Sequence, residues 1–218
     1  MDEWALAPGF ALETDATGFE LPSAIAFVPN PGPDPQDPLY FVTELRGRIK
    51  VVSNDRRVHT FAEDFFSLES MSDFAQSERL PEMGMAGIAL DEETGYVFVS
   101  FSYHDADGNV KFNIARFQTE PGTFSLKPAG RTDFTDIFSD HPGDDSHMIG
   151  PLAIHEGLLY VNVGDAHFRR LVSNRDSVLG KVLRMTRDGD PVASNPFYLD
   201  ADRKKARNYV FASGFRNP

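Results

Sequence analysis

Several kinds of residue and segment are missing from this sequence of 218 residues, and each absence excludes a class of structure or function. There is no cysteine, which excludes disulfide bonds, thiolate catalysis and cysteine-ligated zinc or iron–sulfur sites. No run of about 18 apolar residues occurs, so no membrane-spanning helix is predicted. The dinucleotide-binding pattern Gly-x-Gly-x-x-Gly is also missing. The chain therefore has to fold through an ordinary hydrophobic core.

Basic residues are scarce relative to acidic ones. Lys and Arg number 21 against 33 Asp and Glu, which gives a net charge of −12 at pH 7. A chain this acidic is repelled by phosphate backbones and anionic lipids, so nucleic acid is not expected as a partner. The apolar content of 41%, with 12% aromatic residues, is sufficient for a large core.

Apolar residues at helical spacing are also rare, and only 63–76 could carry a short helix. Short strand-like segments recur instead in a fixed order. Alanines inside the first kind of segment lie at 26, 89 and 153, and aromatic residues inside the second kind lie at 41, 98 and 160. The third kind alternates apolar, basic and apolar residues at 49–51, 115–117 and 183–185, which is typical of a half-buried strand. The sequence therefore contains three copies of one multi-stranded unit.

The repeat predicts an all-β fold, a β-propeller, with one blade in each unit. The whole chain, 1–218, is expected to be a single partial propeller domain with units at roughly 18–80, 81–145 and 146–213 and the start of a fourth at 214–218. Propellers carry typically 4–8 blades, so either further blades follow or a second copy closes the ring. Strands are predicted near 24–28, 39–43, 48–52, 86–90, 96–102, 111–117, 151–154, 158–163 and 181–185.

Six stretches of the chain resemble the glucose/sorbosone dehydrogenases, a family of six-bladed propellers that use pyrroloquinoline quinone (PQQ). The resemblance runs from about residue 18 to 218 and keeps the family's order of segments. The matching stretches are TELRGRIKVV at 43–52, MGMAGIAL at 83–90, LLYVNVGD at 158–165, LGKVLRM at 179–185, SNPF at 194–197 and GFRNP at 214–218.

This resemblance implies a PQQ-dependent oxidation of a sugar hydroxyl, with hydride transfer to the quinone. The family's catalytic base corresponds to His147, in a stretch where the His, one Gly and the Leu of the family pattern are kept. Asp165 corresponds to the residue that orients the base, Glu82 to a substrate contact, and Arg216 and Asn217 to cofactor contacts.

The resemblance also implies a cofactor and a location. PQQ is expected as the cofactor with Ca²⁺ beside it, and the calcium ligands are expected beyond residue 218. No metal ligand is predicted within the chain, because no His-Glu-x-x-His or EF-hand spacing occurs. A sugar is the expected partner, and a periplasmic or secreted location is expected.

The positions of these residues within the repeat indicate a common site independently of the family resemblance. Glu82 lies six residues before the first strand segment of the second unit, and His147 lies five before that of the third. Arg216 lies just before the expected fourth unit, and Asp165 ends a second strand that returns to the same face. These four ionisable side chains are therefore expected to converge on one mouth of the propeller.

Two alternatives remain open from the sequence. His147 could be an ordinary loop histidine, Gly164–Asp165 a turn with an Asp cap, and Glu82 and Arg216 solvated loop charges. At the level of function, the alternative is a propeller that has lost its cofactor and serves as a binding module. Basic residues beyond Pro218 that grip the carboxylates of PQQ would favour the enzyme.

Overall fold

The described part of the chain contains twelve antiparallel strands and three short 3-10 helices, Thr135–Phe138, Arg169–Leu171 and Ala206–Asn208. A computed structural model describes residues 7–64, 66, 82–138, 143–144 and 146–218. The first sheet contains β1 (Pro22–Phe27), β2 (Pro38–Glu44), β3 (Arg48–Ser53) and β4 (Val58–Ala62); the second contains β5 (Met85–Asp91), β6 (Tyr96–His104), β7 (Val110–Gln118) and β8 (Gly130–Asp133); the third contains β9 (Ile149–His155), β10 (Leu158–Val163), β11 (Lys181–Thr186) and β12 (Val210–Ser213).

The sheets are arranged as blades of a propeller. In each sheet the strands follow one another in chain order and pair antiparallel. The first strands of successive sheets contact one another, β1 against β5 and β5 against β9. These strands therefore lie nearest the common axis, and the all-β propeller predicted from the repeat is confirmed.

All nine predicted segments are strands, but the outermost strand of each blade was not predicted. β8 is the clearest case, because its sequence, Gly-Arg-Thr-Asp, is exposed at all four positions. A strand without a buried face carries no apolar alternation, so periodicity cannot reveal it. Most of the helix expected within 63–76 lies outside the described residues.

Two core layers lie between neighbouring blades, and a smaller third cluster of Tyr40, Val42 and Val52 lies on the other face of the first blade. Val97 and Val99 of β6 pack into the layer shared with the first blade, whereas Phe98, between them in sequence, packs into the layer shared with the third blade. Successive side chains of a strand point to opposite faces, so the middle blade must be apolar on both. Each large side chain buried in this way stabilises the fold by about 1.5–3 kcal/mol.

The faces that have no neighbouring blade in the described chain carry exposed apolar side chains. Ile25 is 52% exposed and Phe27 is 64% exposed on β1, while Ala24 and Ala26, which alternate with them along the strand, pack against the second blade. Association of these faces with a second copy stays a prediction. Among the described residues, no helix is long and apolar enough to cross a membrane.

Candidate functional site

The four ionisable residues singled out from the sequence lie in loops that meet at one end of the blades. Glu82 comes three residues before β5, and His147 comes two before β9. Val163 at the end of β10 pairs with Ile149 at the start of β9. The loop that leaves β10, with Asp165, therefore lies beside the loop that carries His147.

His147 and Asp165 form a buried pair. Nδ1 of His147 lies 2.7 Å from Oδ1 of Asp165, and the two residues are only 5% and 2% exposed. The same oxygen accepts the backbone N–H of His167 at 3.0 Å. Asp165 therefore caps its own turn, as the alternative interpretation of the sequence expected, and also bonds to the imidazole.

The hydrogen bonds of this pair decide its protonation. Burial raises the pKa of Asp165, but the hydrogen bonds from the His147 ring and the His167 amide act in the opposite direction, and the pKa lies below its ordinary value. An ionised carboxylate can only accept hydrogen bonds, so Nδ1 of His147 carries the hydrogen. In the neutral ring, Nε2 then carries the free electron pair.

Glu82 reaches His147 through the backbone. Its Oε2 accepts the N–H of His147 at 2.8 Å. This hydrogen bond, with a further one from the Ser146 hydroxyl, lowers the pKa of Glu82 despite some desolvation, so the carboxylate is ionised at neutral pH. The substrate contact that the family resemblance implies for Glu82 stays a prediction, and the structure shows that its carboxylate binds the peptide N–H of His147.

Arg216 and Asn217 follow β12 at the same end of the third blade. The carbonyl of Arg216 accepts the N–H of Asp165 at 2.8 Å. Both side chains are exposed. The backbone of this segment is thus fixed to the buried pair, while the guanidinium and the carboxamide face solvent.

Left-handed backbone is concentrated around the pair. His147, Ala166 and His167 have φ angles of +52°, +44° and +61°, a conformation that costs non-glycine residues free energy and that clusters at functional sites. Hydrogen bonds join the two loops, from Ala166 N to the His147 carbonyl at 3.2 Å and from Gly164 N to the Met148 carbonyl at 2.9 Å. A Cβ on Gly164 would lie 2.2 Å from the His147 carbonyl oxygen, so only glycine permits this approach.

His167 is a member of the site that the sequence analysis missed. Its ring centroid lies 4.4 Å from that of His147, with the planes tilted by 44°. Unlike His147 it is exposed. Its position in the sequence could have indicated this role. His167 lies two residues after Asp165, in the loop that follows β10, so both side chains are expected at the same mouth of the propeller.

A buried lysine holds the far end of the same loop. Lys181, at the start of β11, is 0% exposed, and Nζ donates to the carbonyls of Leu171 at 3.1 Å and of Val172 and Leu179 at 2.6 Å. These three bonds match the three N–H donors of an ammonium group. Burial lowers the pKa of Lys181 to about 8. Lys181 therefore ties residues 171–179 back to the strand that follows them.

A sequence profile of the family described as glucose/sorbosone dehydrogenase matches residues 19–218. No curated protein sequence was found that matches the chain. Among solved structures, an oxidoreductase from Thermus thermophilus described as a glucose dehydrogenase is 27% identical, with a TM-score of 0.67 over 94% of this chain. The PQQ-bound aldose sugar dehydrogenase of Streptomyces coelicolor is 25% identical, with a TM-score of 0.65, also over 94%.

These likenesses cover only part of each matched protein. The chain spans 54% of the Thermus protein and 54% of the Streptomyces protein. The soluble aldose sugar dehydrogenase of Escherichia coli, in its apo form, is 16% identical, with a TM-score of 0.62 over 91% of this chain and 52% of its own. At that identity the likeness concerns the fold alone.

Proposed function

The chain belongs to the glucose/sorbosone dehydrogenase family, and from this premise we propose that it supplies the general base of a PQQ-dependent dehydrogenase that oxidises a sugar hydroxyl. The observation that carries the proposal is the buried His147–Asp165 hydrogen bond of 2.7 Å. It fixes the imidazole in the tautomer that leaves Nε2 able to accept a proton. Aldoses are the proposed substrate class.

In the proposed reaction His147 takes the proton of the substrate hydroxyl at Nε2. As the proton arrives, the ring becomes an imidazolium, and the ionised Asp165 on Nδ1 stabilises that charge. General-base catalysis of this kind contributes typically ~10²–10⁴-fold to the rate. The left-handed backbone and the bond from Glu82 to the His147 amide hold the ring in place, which reduces the reorganisation that the reaction requires.

The exposed cationic and amide side chains after β12 fit an anionic quinone cofactor. The Arg216 guanidinium makes no ion pair with any residue in the described part of the chain, so it is available to an anion. We propose that Arg216 and Asn217 contact PQQ, which when bound supplies the electron sink that accepts the hydride. The Streptomyces relative named above was solved with PQQ bound.

Glu82 is proposed to position the sugar. Its carboxylate is ionised and exposed, and sugar hydroxyls donate to carboxylates in strong, charge-assisted hydrogen bonds. Because Glu82 also bonds to the His147 amide, a sugar held by Glu82 would lie close to the base. Calcium and a location outside the cytoplasm stay predictions from the family resemblance.

The test uses the full-length gene product, because the chain spans about half the length of the structures that it matches. PQQ and Ca²⁺ are added, and dye reduction is followed across a panel of aldoses. His147→Asn is the main variant, since Asn tolerates left-handed backbone but cannot act as the base. It is expected to lower turnover by ~10²-fold or more with PQQ binding unchanged.

The matched control is His155→Ala, because the side chain of His155 is 72% exposed and lies at the opposite end of β9 from His147. This variant is expected to retain full turnover. Near-full activity of His147→Asn would reject His147 as the base. A wild-type protein that neither binds PQQ nor reduces the dye would favour the binding module.

A further inference from the structure

Three side chains at the mouth have their metal-binding atoms close together. One nitrogen each of His147 and His167 and one carboxylate oxygen of Asp165 all lie within 4.8 Å of one another. His147 and Asp165 are buried and His167 is exposed. The sequence analysis predicted no metal ligand because these residues match no contiguous metal motif.

We infer that His147, Asp165 and His167 form a binding site for a divalent transition metal of the Zn²⁺ type. Two imidazole nitrogens, one carboxylate oxygen and a water are the ligand set of zinc sites that keep an open position. Ca²⁺ and Mg²⁺ are disfavoured, since both prefer oxygen ligands throughout. The site is therefore distinct from the calcium expected for the family.

The backbone already holds the three residues in a converging arrangement. Two hydrogen bonds from backbone amides hold the loops. The His167 amide donates to the Asp165 carboxylate at 3.0 Å, and the Ala166 amide donates to the His147 carbonyl at 3.2 Å. Metal bonds of about 2.0–2.2 Å require the donor atoms to approach more closely than 4.8 Å. The exposed ring of His167 can move toward the ion, whereas Nδ1 of His147 and Oδ1 of Asp165, 2.7 Å apart, lie closer than two ligands of one tetrahedral ion and must separate slightly.

The local charge also suits a dication. Two carboxylates lie at the site: Oδ1 of Asp165 is 2.7 Å from Nδ1 of His147, and Oε2 of Glu82 is 2.8 Å from the amide nitrogen of His147. Glu82 lies on the amide side of His147, so it contributes negative charge without needing to bind the metal. Two carboxylates close to the site offset the charge of one Zn²⁺ ion, which lowers the cost of placing it beside a buried pair.

Occupancy by a metal would exclude proton acceptance by the same pair. In the metal-free form, the Nδ1 hydrogen of His147 lies between the ring and Asp165. In the metal-bound form, Nδ1 and the carboxylate give electron pairs to the ion and the ring hydrogen moves to Nε2, so neither ring nitrogen can accept a proton. The mouth would then have two states, one able to take a proton and one not. Metal binding at this site needs neither PQQ nor a sugar, so it can be measured separately from the proposed function.

The test titrates Zn²⁺ into the full-length, tag-free, chelator-treated protein by isothermal calorimetry, and repeats the titration with Co²⁺ while recording the visible absorption of tetrahedral Co²⁺. The decisive variant is His167→Asn, which removes the imidazole and tolerates the φ of +61°. Asp165→Asn is the second variant, and His155→Ala is the control for an exposed histidine elsewhere.

One ion per chain is expected for the wild type and for the control. His167→Asn is expected to bind at least ~100-fold more weakly, because loss of a ligand should exceed the ~10–100-fold cost of losing an outer-sphere partner. Asp165→Asn is expected to weaken binding in the same direction. The inference is overturned if the wild type binds no metal, or if His167→Asn binds as tightly as the wild type.

Discussion

Replacing Lys181 by Met tests whether the hydrogen bonds of its ammonium group stabilise the loop at 171–179. The change removes the donor for three carbonyls, those of Leu171, Val172 and Leu179, but keeps an unbranched side chain in the buried space. Hydrogen bonds to a charged donor contribute about 1.5–3 kcal/mol each. The ammonium also carries a cost of burial, which the variant no longer has.

The two effects can be compared from the structure. Lowering the pKa of Lys181 from 10.5 to about 8 corresponds to about 3 kcal/mol of disfavoured charge. The three lost hydrogen bonds exceed that gain. We expect Lys181→Met to lower the free energy of unfolding at pH 7 by about 2–5 kcal/mol, the range for disrupting a buried charged network.

The pH dependence gives a second check. Below pH 8 the ammonium of Lys181 is charged in both the folded and the unfolded chain, so the burial cost is fully present. Between pH 8 and pH 10.5 the unfolded chain binds more protons at this residue than the folded chain, and the wild type gains stability as the pH rises. The stability gap between the wild type and Lys181→Met should therefore widen over this interval.

Urea denaturation at several pH values from 7 to 10 measures this gap, with Lys50→Met as the matched control. Lys50 lies within a strand but gives its ammonium to a single hydroxyl, that of Thr60 at 2.8 Å, so its replacement should cost less than about 1.5 kcal/mol. A gap that stays constant above pH 8 would refute the burial argument. If Lys181→Met lowers the free energy of unfolding at pH 7 no more than Lys50→Met does, the three hydrogen bonds of Lys181 do not stabilise the loop.

Substitutions at three further positions test the site. Gly164→Ala should lower stability by about 1–3 kcal/mol in thermal denaturation, because the new Cβ would lie 2.2 Å from the His147 carbonyl; an unchanged melting temperature would contradict this. Asp165→Asn should keep its carbonyl oxygen toward the His167 amide and hence the His147 tautomer, so turnover should fall only ~10–10²-fold, and Asp165→Ala should fall further. Glu82→Gln should change the free energy of unfolding by less than about 1 kcal/mol and Glu82→Ala by about 1.5–3 kcal/mol, since only Gln can still accept the His147 amide; equal losses in urea titrations would argue against that bond.

The sequence repeat predicted the propeller fold because the packing of neighbouring blades requires apolar segments at regular intervals. A middle blade buried on both faces needs apolar residues in succession, as at Val97, Phe98 and Val99, and such segments stand out in a sequence. The same requirement explains why the outermost strands could not be predicted. The outermost strands pack on one side or on none, so β8 has an exposed polar sequence that resembles a loop.

The site could be predicted where it follows from strand order. His147 and Asp165 are 18 residues apart in sequence, yet the pairing of Ile149 with Val163 brings their loops together, and an antiparallel pair of strands allows no other placement. The position of Gly164 could not be interpreted in the same way, because its Cβ clash arises from the other loop. A contact between two loops leaves no periodic pattern in either.

Main-chain hydrogen bonds account for much of the geometry that the sequence could not predict. The Glu82 carboxylate binds the amide of His147, the Arg216 carbonyl binds the amide of Asp165, and Lys181 binds carbonyls of the loop between. None of these bonds involves the imidazole, so the ring is positioned by its own backbone and by one carboxylate. In the proposed mechanism, substitutions at Lys181 should therefore act through the position of the ring, and those at Glu82 through both the ring and the bound sugar. Substitutions at His147 and Asp165 should act on the proton transfer itself.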